Sequence, residues 1–143
     1  MKNTSLAYRI GRRTLVVIFV LNGVGALYGG VAAFIAPDFM GAELLVPIFH
    51  NLPLIGPYLN SLILPASALL LFICLPQSLA AILLLRRHTR QYIVAALNGA
   101  MLVAFTFVEI LIIPNPLSLA YLLVGVVQMV LGIVLQRQPD GLH

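Results

Sequence analysis

The chain has 143 residues, of which 62% are hydrophobic and 8% are charged, and its formal net charge is +4. Soluble domains are typically about 45–50% apolar and about 25% charged, and a small one needs its charged residues to cover a wet surface. The composition therefore excludes an ordinary water-soluble domain and predicts a chain whose solvent is a lipid bilayer.

Four long apolar stretches are separated by clusters of charge and proline. They cover about residues 14–36, 58–85, 91–113 and 117–135. A helix needs roughly 20 apolar residues to cross about 30 Å of hydrocarbon, whereas barrel strands are shorter and alternate in polarity. We therefore predict an all-α integral membrane bundle of four transmembrane helices, a single domain over residues 1–143 that ends in a cytoplasmic tail at 136–143.

The basic residues precede the first stretch, separate the second from the third, and follow the fourth. They are Lys2, Arg9, Arg12, Arg13, Arg86, Arg87, Arg90 and Arg137. Because cytoplasmic loops carry an excess of Lys and Arg, this distribution predicts a multi-pass protein with both termini in the cytoplasm. The basic clusters are short and lack interleaved aromatic residues, so we expect no nucleic acid partner.

In the first predicted helix, Gly25 and Gly29 form a small-xxx-small pair that permits close approach of another helix. A four-helix protein must bury some face internally, which favours packing against the chain's own helices. Packing against a second copy of the chain stays open.

Residues 37–57 leave the membrane on the predicted outer side, yet they are too apolar for an ordinary exposed loop. We expect short pieces broken by Pro47, Pro53 and Pro57 to lie in the membrane interface. The segment could cap a cavity or serve as a plain interfacial anchor. Asp38 and His50 fall within it, as candidate ligand- or proton-binding residues or as solvated ones.

The third predicted helix contains Glu109, about five positions inside its outer end and so at a depth of roughly 7 Å. Carboxylates at membrane depth usually face inward and serve a pathway or a partner. Asn98 follows Gln91 by two helical turns, and Glu109 follows Asn98 by three, so the three residues make one polar stripe along the helix. Asn98 and Glu109 are therefore further candidates for ligand or proton binding.

The fourth predicted helix has a 4-3-4 spacing typical of a packing seam, formed by Tyr121, Gly125, Gln128 and Gly132. Tyr121 lies as far from the intervening turn as Glu109 does, so its phenol and that carboxyl could meet at equal depth. The alternative for Tyr121 is an aromatic residue at the membrane interface. Gly125 and Gly132 are assigned to helix packing.

Motifs for familiar chemistries are absent from the sequence: it has no phosphate-cradling glycine loop, no paired-histidine zinc helix and no serine nucleophile elbow. Cys74 is the only cysteine, which excludes an intramolecular disulfide. We expect no cofactor, no metal site and no enzymatic activity.

Several short motifs in order resemble the landmarks of small uncharacterised bacterial membrane proteins that are DoxX-like in layout. They are Ala36-Pro37-Asp38, Pro57-Tyr58, Leu62-Ile63-Leu64-Pro65-Ala66 and Val108-Glu109-Ile110-Leu111-Ile112-Ile113-Pro114. The resemblance implies a four-helix bundle in the bacterial inner (plasma) membrane, and it brings no established activity.

Three functional hypotheses follow, of which an enzyme on a membrane substrate, with Glu109 or His50 as acid or base, is the least favoured because it lacks a second catalytic group. The first is a non-enzymatic module that binds a lipophilic ligand or a partner transmembrane helix through Glu109 and Tyr121. The alternative is a small proton- or cation-coupled transporter that acts as an oligomer, with Glu109 as the titrating group. The expected partners are membrane lipids and either further copies of the chain or another membrane protein.

Overall fold

The computed structural model describes the backbone of residues 2–138 and the side chains from residue 6 onward. Residues 139–143 of the predicted tail, and the side chain of Lys2, lie outside this range. Between residues 2 and 138 the chain is helical and contains no strand. The predicted all-α fold class is confirmed.

Six α-helices follow one another between residues 2 and 138. They are α1 Lys2–Ile35, α2 Ala42–His50, α3 Ile63–Leu69, α4 Leu75–Leu85, α5 Gln91–Ile112 and α6 Pro116–Arg137. A 3₁₀ turn occupies Gly56–Tyr58, and a π-helical turn, Leu70–Cys74, joins α3 to α4.

In the described part of the chain, four helical segments are long and apolar enough to cross a membrane, as in a multi-pass membrane protein. They are Leu6–Ile35, Ile63–Leu85, Gln91–Ile112 and Pro116–Arg137. The prediction of four such helices is confirmed. The largest differences from the predicted bounds are at two places: α1 extends N-terminally past residue 14, and the second span begins at Ile63 rather than at residue 58.

Two prolines shape the second span. Pro65 lies in the first turn of α3, where its missing N–H would have no acceptor within the helix. Pro76 lies inside the helical run, where it deprives the carbonyl of Phe72 of its α-helical donor. The π turn immediately precedes it, with the Leu75 N–H donating to the carbonyl of Leu70. The helix thus changes its hydrogen-bond spacing next to the proline and continues.

Contacts along the chain divide it into two compact units. Within the described residues, the first unit comprises 2–21 and 76–138, and the second comprises Asn22–Leu75. The core of the first unit is built by α1, α4, α5 and α6. Its buried residues are Leu15, Phe19, Ala80, Ala81, Leu84, Tyr92, Ala95 and Leu135. Three of these are alanines, whose small side chains let neighbouring helices approach closely.

In the second unit, the later part of α1 packs against α3 and the π turn. The thiol of Cys74 lies 3.5 Å from the carbonyl oxygen of Gly23 and donates to it. The segment between α1 and α3 contains α2, and Pro47 lies inside that helix rather than breaking it. Gly56 packs on the end of α2, because a Cβ added there would lie 2.2 Å from the carbonyl oxygen of His50.

Candidate functional site

The most deeply buried polar pair in the first unit joins α4 to α6. Gln77 is 1% exposed and Gln128 is 0% exposed. The Gln128 Nε2 donates to Gln77 Oε1 at 2.9 Å, and the Gln77 Nε2 donates to Gln128 Oε1 at 3.3 Å. An unpaired buried amide is costly in an apolar surrounding. This reciprocal pair therefore fixes the position of α4 along the axis of α6.

Helices α5 and α6 contact each other backbone to backbone at three glycines. A Cβ added to Gly99 would lie 2.4 Å from the Met129 nitrogen, and one added to Gly132 would lie 2.7 Å from the Ala96 nitrogen. A Cβ on Gly125 would lie 3.1 Å from the carbonyl oxygen of Gly99. Gly125 and Gly132, which the sequence assigns to packing, therefore lie in this contact, and Gly99 is its tightest point.

Two polar side chains of α5 bond to their own helix. Asn98 is buried, and its Nδ2 donates to the carbonyl of Val94 at 3.0 Å. Thr106 is also buried, and its hydroxyl donates to the carbonyl of Leu102 at 2.7 Å. This hydrogen bond uses one of the two N–H groups of the Asn98 amide, and the proposal that Asn98 binds a ligand or proton stays a prediction.

Glu109 and Tyr121 are each half-buried, on α5 and α6 respectively. No hydrogen bond joins them, and neither side chain has a hydrogen bond or ion pair with any other side chain or carbonyl in residues 6–138. Glu109 lies in the last turn of α5, where its backbone carbonyl accepts from the N–H of Ile113 at 2.7 Å. The described residues therefore supply no hydrogen-bond donor to its carboxylate.

The polar side chains of the turn between α5 and α6 hydrogen-bond within that turn. Asn115 caps α6, since its Oδ1 accepts from the Ser118 N–H at 2.8 Å. Its Nδ2 donates to the carbonyl of Ile113 and to the hydroxyl of Ser118, at 2.9 and 2.8 Å. The side-chain amide nearest to Glu109 in sequence is therefore engaged within the turn.

Asp38 and His50 belong to the second unit, and both are exposed. Asp38 lies in the turn after α1, and His50 is the last residue of α2. Across the described residues, no group of three or more His, Cys, Asp and Glu side chains is placed to hold a metal ion. The exposure of both residues fits the solvated interpretation.

Of the two glycines Gly25 and Gly29 in α1, Gly29 lies in a helix contact. Gly25 is exposed, whereas a Cβ on Gly29 would contact the end of the Leu69 side chain at 3.5 Å. The closest approach is at the buried Gly30, where a Cβ would lie 2.6 Å from Leu70. Gly29 thus packs against the chain's own α3.

The start of α1 meets the turn between α4 and α5. The hydroxyls of Tyr8 and Tyr92 are hydrogen-bonded, and their rings pack edge to face with centroids 6.0 Å apart. The Arg12 guanidinium donates to the carbonyl of Leu84 in the last turn of α4. A positive group at a helix C-terminus is stabilised by the helix dipole. These contacts hold the start of α1, which precedes its apolar part, against α4 and α5.

The end of α4 has the backbone of a Schellman motif. Arg87 has a left-handed φ of 53°. The N–H of His88 donates to the carbonyl of Leu83 at 3.0 Å, and the N–H of Arg87 donates to that of Leu84 at 3.3 Å. This double closure fixes the turn that leads into α5.

Comparison with known proteins adds no family assignment. No protein-family model, curated protein or solved structure matches the chain.

Proposed function

We propose that this protein is a non-enzymatic membrane module that binds a partner transmembrane helix, or a lipophilic ligand, through a donor group that meets Glu109. The observation that supports this is the Glu109 carboxylate, half-buried within a candidate membrane span and without a bonding partner among the described residues.

The position of Glu109 makes an external donor energetically useful. A carboxylate inside the apolar zone is costly unless it is paired. Its place in the last turn of α5 adds an unfavourable interaction with the negative end of the helix dipole. Since Asn115 is engaged within its own turn, a donor brought by another molecule would relieve both costs.

Tyr121 is the second polar group of this proposed site. It is half-buried near the start of α6, the helix that follows α5 after the short Pro114–Asn115–Pro116 turn. A phenol can both donate and accept, so Tyr121 could contact the polar part of the same partner. A partner with one amine or hydroxyl on an apolar body would satisfy this site.

The alternative is a small proton- or cation-coupled transporter that acts as an oligomer, with Glu109 as the titrating group. The same unpaired carboxylate supports it. Removal of the Glu109 charge distinguishes the two functions, because a transporter would lose flux whereas a binding module would lose its bound molecule.

The test compares wild type with Glu109→Gln after mild extraction from the native membrane, by native mass spectrometry. We expect a discrete bound helix or lipophilic molecule in the wild type, reduced at least about tenfold in the variant because the amide offers no charge to a donor. Glu43→Gln, which changes an exposed carboxylate on α2, is the matched control and should keep the bound molecule.

A wild-type protein that is bare in this experiment would contradict the binding function. Proton flux into vesicles that is lost in Glu109→Gln and kept in Glu43→Gln would then support the transporter. If neither binding nor flux changes, Glu109 has a structural role only.

We further propose a bacterial plasma-membrane protein with both termini in the cytoplasm. The support is the arginine distribution, since the described helix ends that carry arginine are the start of α1, the end of α4, the start of α5 and the end of α6. A reporter enzyme that is active only outside the cytoplasm should be active when inserted after Asn51 and inactive when fused after Gln138. The reverse pattern would overturn this orientation.

A further inference from the structure

One end of the first unit carries a set of arginines that we call the arginine end. It consists of Arg9, Arg12, Arg13, Arg86, Arg87, Arg90 and Arg137. Three contacts bring their helices together there. Tyr8 bonds to Tyr92, Arg12 bonds to the Leu84 carbonyl, and a Cβ on Gly11 would lie 3.4 Å from the Leu135 side chain.

The positive charge of the arginine end is not neutralised within the described part of the chain. Six of the seven side chains are exposed, and Arg12 is half-buried. None of them forms an ion pair with a described carboxylate. The only described carboxylate of the first unit is Glu109, which lies in the last turn of α5, whereas the arginine end meets α5 at its first turn.

The arginine end is also held in a fixed backbone geometry. The Schellman closure at Arg87 and the hydrogen bond from the Arg90 N–H to His88 Nδ1, at 3.2 Å, define the turn between α4 and α5. In addition, the guanidinium of Arg12 is held by its hydrogen bond to the Leu84 carbonyl. Rigid turns present charged groups at a lower entropic cost than flexible tails do.

We propose that the arginine end binds the headgroups of anionic phospholipids in the membrane leaflet that it faces. The arginines flank four apolar spans, so they lie at the depth where lipid phosphates are found. A guanidinium can donate two parallel hydrogen bonds to one phosphate, which a lysine ammonium cannot do. Clusters of basic residues next to membrane helices attract acidic lipids by charge as well.

The occupant is a lipid headgroup rather than a soluble anion because of this placement. Apolar side chains lie beside the arginines, among them Leu6, Ile10 and Leu85, which are all exposed on the protein surface. Acyl chains can cover these side chains while the phosphate meets the arginines. Free phosphate would leave the apolar side chains uncovered.

The test measures lipid binding to the full chain by native mass spectrometry, with phosphatidylglycerol and phosphatidylcholine of matched acyl chains. The variant replaces four of the six exposed arginines, Arg9, Arg13, Arg86 and Arg90, with Gln. It spares Arg12, which bonds to Leu84, and Arg87, which has the left-handed φ. We expect the wild type to prefer phosphatidylglycerol and the variant to lose that preference by at least about tenfold.

Two control variants distinguish an effect of lost charge from an effect of lost folding. Thr89→Ala, in the same turn and exposed, should keep the preference. The corresponding four-fold Arg→Lys variant should keep part of it, because the charge remains while the paired hydrogen bonds are lost. High salt should weaken the preference of the wild type, which tests the proposal even if the Gln variant fails to fold.

Equal binding of the two lipids by the wild type would overturn the proposal, as would an unchanged preference in a folded Gln variant. Displacement of phosphatidylglycerol by millimolar inorganic phosphate would show that the acyl chains contribute nothing, and it too would overturn the proposal. The inference does not depend on the function proposed for Glu109, since Glu109→Gln should keep the lipid preference.

Discussion

Adding a single methyl group at Gly99 should lower the free energy of unfolding by about 3 kcal/mol, at the upper end of the usual range for overpacking. The new Cβ would lie 2.4 Å from the nitrogen and 2.9 Å from the Cα of Met129. Both are backbone atoms, so no side-chain rotation can relieve the clash and α5 must move away from α6. Denaturant titration of the purified protein in detergent, followed by helical circular dichroism, measures the loss.

Gly29→Ala is the matched control for this prediction. Its Cβ would meet only the flexible end of Leu69 at 3.5 Å, an ordinary contact. Alanine is favoured over glycine in a helix by roughly 1 kcal/mol, so this variant should be as stable as the wild type or slightly more so. If Gly99→Ala were equally well tolerated, the backbone contact between α5 and α6 would not exist in the folded protein.

Replacing Gln128 with Leu should lower the free energy of unfolding by roughly 2 kcal/mol, within the usual range for removing one partner of a buried hydrogen-bonded pair. The change removes both hydrogen bonds that Gln128 shares with the buried amide of Gln77. The double variant Gln77→Leu/Gln128→Leu should be more stable than the sum of the single changes predicts. Measured couplings between polar residues in membrane proteins average about 0.6 kcal/mol and reach about 1.7 kcal/mol. For two hydrogen bonds we expect a coupling of about 1 kcal/mol from the double-mutant cycle.

Gln136→Leu provides the comparison for Gln128→Leu. Gln136 is on the same helix, and it is exposed. The same chemical change there should alter stability by less than about 0.5 kcal/mol. A coupling near zero between positions 77 and 128 would mean that the reciprocal amide pair does not contribute to holding α4 and α6 together.

The helical class and the four apolar spans could be predicted because both depend on local composition. A run of about 20 apolar residues has few alternatives to a membrane helix. The start of α1 is harder to predict, because Tyr8 and Arg12 are stabilised in a helix by Tyr92 and by the Leu84 carbonyl. Those partners lie far away in the sequence, and no local pattern reveals them.

The polar residues show the same limit. Glu109 is conspicuous as a lone carboxylate in an apolar run, whereas the sequence gives no comparable reason to select Gln77, a lone amide in such a run. Its role becomes visible through the pairing with Gln128. Asn98 is predicted to bind a ligand or proton from its helical face, and the face alone could not show that one N–H of its amide bonds to the Val94 carbonyl.

The glycines differ in how far spacing can identify them. Gly125 and Gly132 follow the regular spacing of a seam, and they do lie in the contact with α5. Gly99, which lies opposite them on α5, belongs to no such repeat on its own helix. Its place in the contact depends on the axial register between α5 and α6. A search for glycines on both of two neighbouring helices would have found it.

The contact between α1 and the α4–α5 turn has a consequence for the order in which the first unit can assemble. Tyr8 and Tyr92 are 84 residues apart in the chain, and Arg12 and Leu84 are 72 apart. At a synthesis rate of roughly 5–20 residues per second, the start of α1 exists for several seconds before its partners are made. Helices α5 and α6, by contrast, are joined by a short turn and can pair as soon as both are inserted. The first unit is therefore completed only when its first-made residues meet helices that are made much later.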